Sequence, residues 1–198
     1  MIHIISRSLA KRWAVCGVIK ESDIETYQYG LELIISSGIN LLIMIGISFA
    51  FGQPLVVVPY LIGFIPQRIF AGGYHAKSHL FCILFNTFVY SISCLVALNI
   101  EESAAILSSV IESCLSFALV FLFAPAPAKN KPLNIEEKKR NRTITLIISG
   151  LSLVLCIALY YSYLLGSTFC NMIFCGQLMA TVLLLIGKSV ESIGFLHH

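Results

Sequence analysis

Hydrophobic positions in this chain gather into long runs, where a water-soluble helix would show narrow i, i+3, i+4 stripes. Six runs are evident, near Leu31–Phe51, Pro54–Phe70, Leu80–Ile100, Ser103–Ala124, Thr143–Leu165 and Thr168–Gly187. A helix needs roughly 20 apolar residues to cross the hydrocarbon core of a bilayer. The pattern therefore predicts an all-α, polytopic integral membrane protein with about six transmembrane helices across residues 31–187. Together the runs use most of the chain, so a single membrane domain over residues 1–198 is expected.

Residues 1–30 read differently. Ile5, Leu9, Val15 and Ile19 recur at loosely helical spacing, with Arg7, Lys11 and Arg12 elsewhere on the wheel and Trp13 suited to headgroup level. An N-terminal interfacial amphipathic helix fits; so does a basic topological anchor. No cleavable signal peptide is expected, because the segment is too charged for an apolar core of the usual length.

The second run carries Pro54, Pro59 and Pro66, which argues against a straight helix. Gly72 and Gly73 follow it, so the chain is expected to dip and turn near one membrane face, where a pocket could form. Between the fourth and fifth runs, Ala124-Pro-Ala-Pro opens a basic loop over residues 125–142. Its first half should be extended and its second half a short helix with a basic end. That loop reads either as a topogenic signal or as a docking surface for an acidic peptide or anionic headgroups.

Composition agrees with lipid as the solvent. The chain is 58% hydrophobic and 12% charged, with mean hydropathy +0.89, whereas soluble domains carry about 25% charged residues. Charge placement adds orientation. With the N-terminus inside, all 13 lysines and arginines fall on one side, while Glu101 and Glu102 lie on the other. The positive-inside rule then predicts a cell membrane protein with both termini cytoplasmic. Seven cysteines at positions 16, 82, 94, 114, 156, 170 and 175 form no CxxC pair, so no zinc knuckle or redox dithiol is indicated.

One stretch is out of keeping with a lipid-facing chain: Arg68-Ile-Phe-Ala-Gly-Gly-Tyr-His-Ala-Lys-Ser-His-Leu-Phe-Cys82. Ionisable groups at membrane depth are expensive and mark functional sites. Ser78 is a suitable cap for the third span, which puts Cys82 in about the first turn, where the helix dipole favours a thiolate. Arg68 and Lys77 reinforce that. His79, three residues before Cys82, shares its helix face. His75 is seven residues before, ~10 Å along an unbroken helix, and reaches Cys82 only if the chain bends. Local geometry leaves the choice between them open.

A Cys–His nucleophilic pair is one reading; a chance neighbourhood is the plain alternative. A zinc site from His75, His79 and Cys82 is a weaker rival, because the glycines oppose helix there and no HExxH glutamate is present. Asn86, four residues after Cys82, could orient an imidazole or make an interhelical hydrogen bond. Glu112, central in the fourth run, would be the coupling carboxylate of a small transporter or peptide exporter, the alternative class of function. Structural hydrogen bonding is its plain reading.

The same stretch resembles the signature of the accessory gene regulator B family, bacterial membrane cysteine endopeptidases of quorum sensing. Gly-Gly-x-His-Ala followed six residues later by Cys is a specific pattern, and chain length, six runs and the proline–lysine loop resemble that family too. The resemblance implies cleavage of a small amphipathic precursor peptide near its acidic C-terminus, then closure into a cyclic signalling peptide, thiolactone or lactone. It assigns His75 and Cys82 as the catalytic pair, and matches Arg68 and Gly73 to important family positions. Gly72, Lys77 and Asn86 are expected to support the site or bind substrate. No metal, cofactor or nucleic acid is expected, the active site is expected on the cytoplasmic side, and a homodimer is compatible with six short spans.

Overall fold

The computed structural model describes residues 2–73, 79–126, 133–161 and 166–195. His75, Lys77 and the expected Ser78 cap lie outside the described residues, and of His79 only the backbone is described. The described chain is helical throughout: α1 (Ile2–Val15), α2 (Ile24–Ala50), α3 (Val57–Ala71), α4 (His79–Asn99), α5 (Glu102–Phe123), α6 (Ile135–Tyr161) and α7 (Ser167–Phe195). Each of the six apolar runs is one of the helices α2 to α7. Among the described residues four helices are long and apolar enough to cross a membrane, in α2, α4, α5 and α7. This is a polytopic membrane protein.

Glycine chemistry sets two of the helix ends. α1 stops at Val15, short of the Ile19 that the spacing suggested, because Gly17 takes φ +74°. There the Val18 N–H reaches the Trp13 carbonyl at 2.9 Å and the Gly17 N–H reaches Ala14 at 3.0 Å, which closes the helix. Gly52 (φ +69°) ends α2 in the same way, with Gln53 N–H on Ser48 and Gly52 N–H on Phe49, both at 3.0 Å.

α1 lies along the start of α2. Its small residues Ser6 and Ala10 are buried, whereas Ile4, Ile5, Trp13 and Val15 remain exposed. Their apolar surface suits the lipid boundary better than water. His3 Nδ1 and Glu32 Oε1 pair at 2.7 Å, and Gln28 Nε2 reaches both, at 2.9 and 3.0 Å. Trp13 meets Tyr27 edge-on at 6.3 Å. The amphipathic helix is therefore also clamped to the bundle by polar contacts.

The proline-rich second run is a continuous helix, contrary to the irregular backbone its three prolines suggested. Pro54 precedes α3, Pro59 falls in its first turn, where the N–H has no helical partner to lose, and only Pro66 is interior. Fifteen residues give α3 a length of about 22 Å, short of the roughly 30 Å hydrocarbon core. α3 is thus apolar yet too short to cross that core on its own.

α7 is the axis of the bundle: 67% of its span is buried, against 11% for α2. It packs chiefly on α3 and then on α5. The α3–α7 crossing brings backbone onto backbone. A Cβ at Gly63 would run into the Ile173 carbonyl, and one at Gly176 into the Tyr60 carbonyl. Small residues at such a crossing let helices in lipid gain dispersion contact that larger side chains forbid. Gly176→Val should cost about 3 kcal/mol through overpacking, read as a lowered melting midpoint in detergent. Gly46→Val, which meets nothing within 4 Å, should melt as the parent does.

Around this axis the main core gathers Met44, Val57, Tyr60, Tyr90, Cys94, Met172, Met179 and Leu183. Tyr60 and Tyr90 meet edge-on at 4.9 Å, and the Tyr90 hydroxyl is bonded to Ser48 at 2.5 Å. Arg142, two turns into α6, donates to the Phe121 carbonyl at 3.1 Å and lies over the Phe121 ring, which satisfies one of the last carbonyls of α5.

Candidate active site

The C-terminus of α3 and the N-terminus of α4 meet at one end of the bundle, and a turn of glycines prepares the site there. Gly72 has φ +71° and Gly73 φ +114°, values at which any Cβ is strained. Close packing adds a second requirement for glycine. A Cβ on Gly72 would enter the Ala126 carbonyl, and a Cβ on Gly73 would sit 2.7 Å from both Arg68 Nη1 and the Leu183 carbonyl oxygen.

The turn is held by the segment after α5. Ala124 is extended, as the prolines suggested. Ala126 N–H donates to the Ala71 carbonyl at 2.9 Å, and Gly73 N–H donates to the Ala126 carbonyl at 3.2 Å, a parallel bridge between Gly72 and Ala126. Buried backbone leaving a helix must find internal partners, and these two bonds provide them. The start of the basic loop is thus part of the site's frame. Sequence reasoning treated that loop as separate, and no residue pattern pairs Ala126 with Gly72.

Arg68, in the last turn of α3, turns back over this corner. Its Nη1 donates to the Gly72 carbonyl. Its guanidinium interacts electrostatically with Cys82 and with Tyr29 of α2. Cys82 is a free, partly buried thiol in the first turn of α4, as the sequence indicated. Asn86, one turn on, donates from Nδ2 to Cys82 Sγ at 3.7 Å, while its buried Oδ1 has no partner among the described residues. Asn86 therefore touches the sulfur itself.

Of the sequence-derived site residues, Arg68, Gly72, Gly73, Cys82 and Asn86 converge on this corner, and His75 and Lys77 lie outside the described residues. Tyr29 was missed; it is an aromatic in a mixed segment with nothing in the sequence to mark it. It also lines a surface pocket of about 600 Å³ between α1 and α2, alongside His3, Arg7, Lys11, Glu25 and Gln28. That pocket lies between α1 and α2, and the pocket expected beside the glycine turn falls at residues outside the described ones. Glu112 is remote from the corner. Its Oε2 lies 3.9 Å from the Cys175 thiol of α7, and no salt bridge joins it to a basic residue among the described residues.

Comparison with known proteins gives this geometry a context. The sequence profile described as Accessory gene regulator B matches residues 3–184. The chain belongs to the accessory gene regulator B family. An AgrB-like protein of Listeria welshimeri is 32% identical over 136 residues, covering 65% of this chain and 64% of that protein. The chain thus spans just under two thirds of that relative's length. An AgrB-like protein of Clostridium perfringens is 26% identical over 170 residues, 78% of each chain. The accessory gene regulator protein B of Staphylococcus aureus is 23% identical over 134 residues, 68% of this chain and 71% of that one. No solved structure matches the chain. The profile covers the whole corner, from the clamp of α1 on α2 to Leu183, so the site described above lies within the accessory gene regulator B region.

Proposed function

We propose that this accessory gene regulator B protein is a membrane cysteine endopeptidase of a quorum-sensing system. It cuts a small amphipathic precursor peptide near its acidic C-terminus and closes the remainder into a ring. The observation that carries the reading is Cys82 in the first turn of α4, with its sulfur touched by Asn86 and within electrostatic reach of the Arg68 guanidinium. A thiol among a helix N-terminus, a cation and an amide donor is equipped to act as a nucleophile.

In this reading His75 takes the proton of Cys82, in the role the family resemblance gives it. The thiolate attacks the scissile carbonyl; the C–N bond breaks, and the departing amine takes the proton from the imidazolium. The acyl group is then a thioester on Cys82. A thiol within the substrate gives its proton to the now neutral His75, attacks that carbonyl and closes a thiolactone (a lactone where a hydroxyl replaces the thiol), expelling Cys82 as a thiolate that takes the proton back. Exchange of one thioester for another is nearly energy-neutral, so water must be kept away from the acyl group. A corner covered by the strand-like segment at Ala126 favours that exclusion. Arg68 stabilises negative charge on the sulfur and on the oxyanion, and attracts the acidic leaving segment.

Charge supports a cytoplasmic site. The corner lies among the ends of helices that carry the basic loops, and the positive-inside rule assigns those ends to the cytoplasm. Purified protein in detergent, mixed with a synthetic precursor bearing a mid-chain cysteine and an acidic tail, provides the test. Release of the tail and loss of the substrate thiol without any ion gradient are expected. Peptide uptake by vesicles that depends on a gradient and on Glu112, with no cleavage in detergent, would replace the enzyme by a transporter.

A further inference from the structure

Gln67, immediately before Arg68, is fully buried where four helices meet. Its Nε2 donates to Thr181 Oγ1 on α7 at 2.7 Å and to Ser116 Oγ on α5 at 3.2 Å. Its Oε1 accepts from Ser149 Oγ on α6 at 3.2 Å. The remaining hydroxyl protons fit without conflict. Thr181 donates to the Gln177 carbonyl at 3.0 Å, which leaves its oxygen free to accept from Gln67 and from Ser116, 2.6 Å away. Both ends of the amide are satisfied by side chains of three other helices.

Polar side chains between helices in lipid usually serve only as modest glue. Position sets this one apart. Gly63, one turn earlier, lets α3 touch the α7 backbone, and such a smooth contact does not define rotation about the α3 axis. The amide of Gln67 does, because it must meet α5, α6 and α7 together. Arg68 follows at roughly 100° around the helix, so the rotation fixed at Gln67 sets the direction of the guanidinium.

We propose that Gln67 is a positioning residue of the site: its clasp on Ser116, Ser149 and Thr181 aims Arg68 at the Gly72 carbonyl and at Cys82. The inference rests on the reading of Cys82 as a nucleophile governed by Arg68. It is tested without substrate, so the two can fail separately.

The probe is iodoacetamide at fixed pH, applied to detergent-purified protein in which the six other cysteines are alanine. Arg68→Gln should slow alkylation of Cys82 roughly tenfold by withdrawing the cation. Gln67→Met, similar in shape but without the amide, should slow it by a similar factor. The double variant should be no slower than Arg68→Gln alone, since both changes remove one interaction. Ser149→Ala, a smaller change that removes only the donor to Oε1, should give an intermediate loss and decides the matter if Gln67→Met elutes as aggregate. Parental rates in Gln67→Met or Ser149→Ala, or losses that multiply in the double variant, would overturn the positioning role. A parental rate in Arg68→Gln would instead overturn the pairing of Arg68 with Cys82.

Discussion

Cys82→Ala is expected to abolish precursor cleavage while leaving the folded, membrane-inserted protein intact. The thiol is partly buried and is contacted among the described residues by Asn86 at 3.7 Å, and truncating so small a side chain leaves little cavity. Losing a nucleophile removes the covalent route altogether, an effect on the order of 10⁶ in rate for enzymes that depend on one. Cys94→Ala supplies the contrast. Cys94 is fully buried in the core cluster with Tyr60 and Tyr90. Its truncation should lower the melting midpoint modestly and leave the rate of cleavage unchanged. Peptide mass spectrometry on the two variants side by side checks both. Equal activity in Cys82→Ala and parent protein would remove the proposed function.

Gly73→Ala carries the second large effect, by a different mechanism. A side chain at φ +114° is strained by about 1–3 kcal/mol, and the added methyl would lie 2.7 Å from both Arg68 Nη1 and the Leu183 carbonyl oxygen. The Leu183 backbone belongs to the central helix and yields least, so the glycine turn must shift, and the guanidinium bonded to Gly72 shifts with it. A shift of about 1 Å in a positioning group commonly costs roughly 100-fold in rate. Cleavage should therefore fall about 100-fold, with the melting midpoint lowered by the amount that about 1–3 kcal/mol of strain implies. Gly30→Ala, which meets nothing within 4 Å, should retain parental cleavage. A Gly73→Ala protein that cleaves at the parental rate would mean that the glycine turn has no part in orienting Arg68.

Much of this was legible in the residues. Runs of apolar side chains identify α2 to α7, because in lipid the backbone has no alternative to closing its own hydrogen bonds. Cys82, Arg68 and the glycine pair stood out because charge, thiol and backbone freedom are all anomalous in such a segment. Other parts were hidden for physical reasons. Three prolines suggested a broken second run, yet two of them fall where no helical hydrogen bond is lost. The clasp around Gln67 draws on Ser116, Ser149 and Thr181, which lie 49, 82 and 114 residues away. Nothing local to any of them indicates the others. The bridge of Ala126 to Gly72 is made by backbone alone and leaves no trace in residue type.

Whether a sulfur becomes acylated is the matter on which everything else turns. The direct measurement is intact-protein mass spectrometry after incubation with a precursor whose internal cysteine is replaced by alanine, so that the acyl group cannot leave by cyclisation. The expected result is an added mass equal to the precursor without its tail, removed by hydroxylamine and mapped to the Cys82 peptide. Tail release with no adduct, or an adduct on another cysteine, would contradict the account.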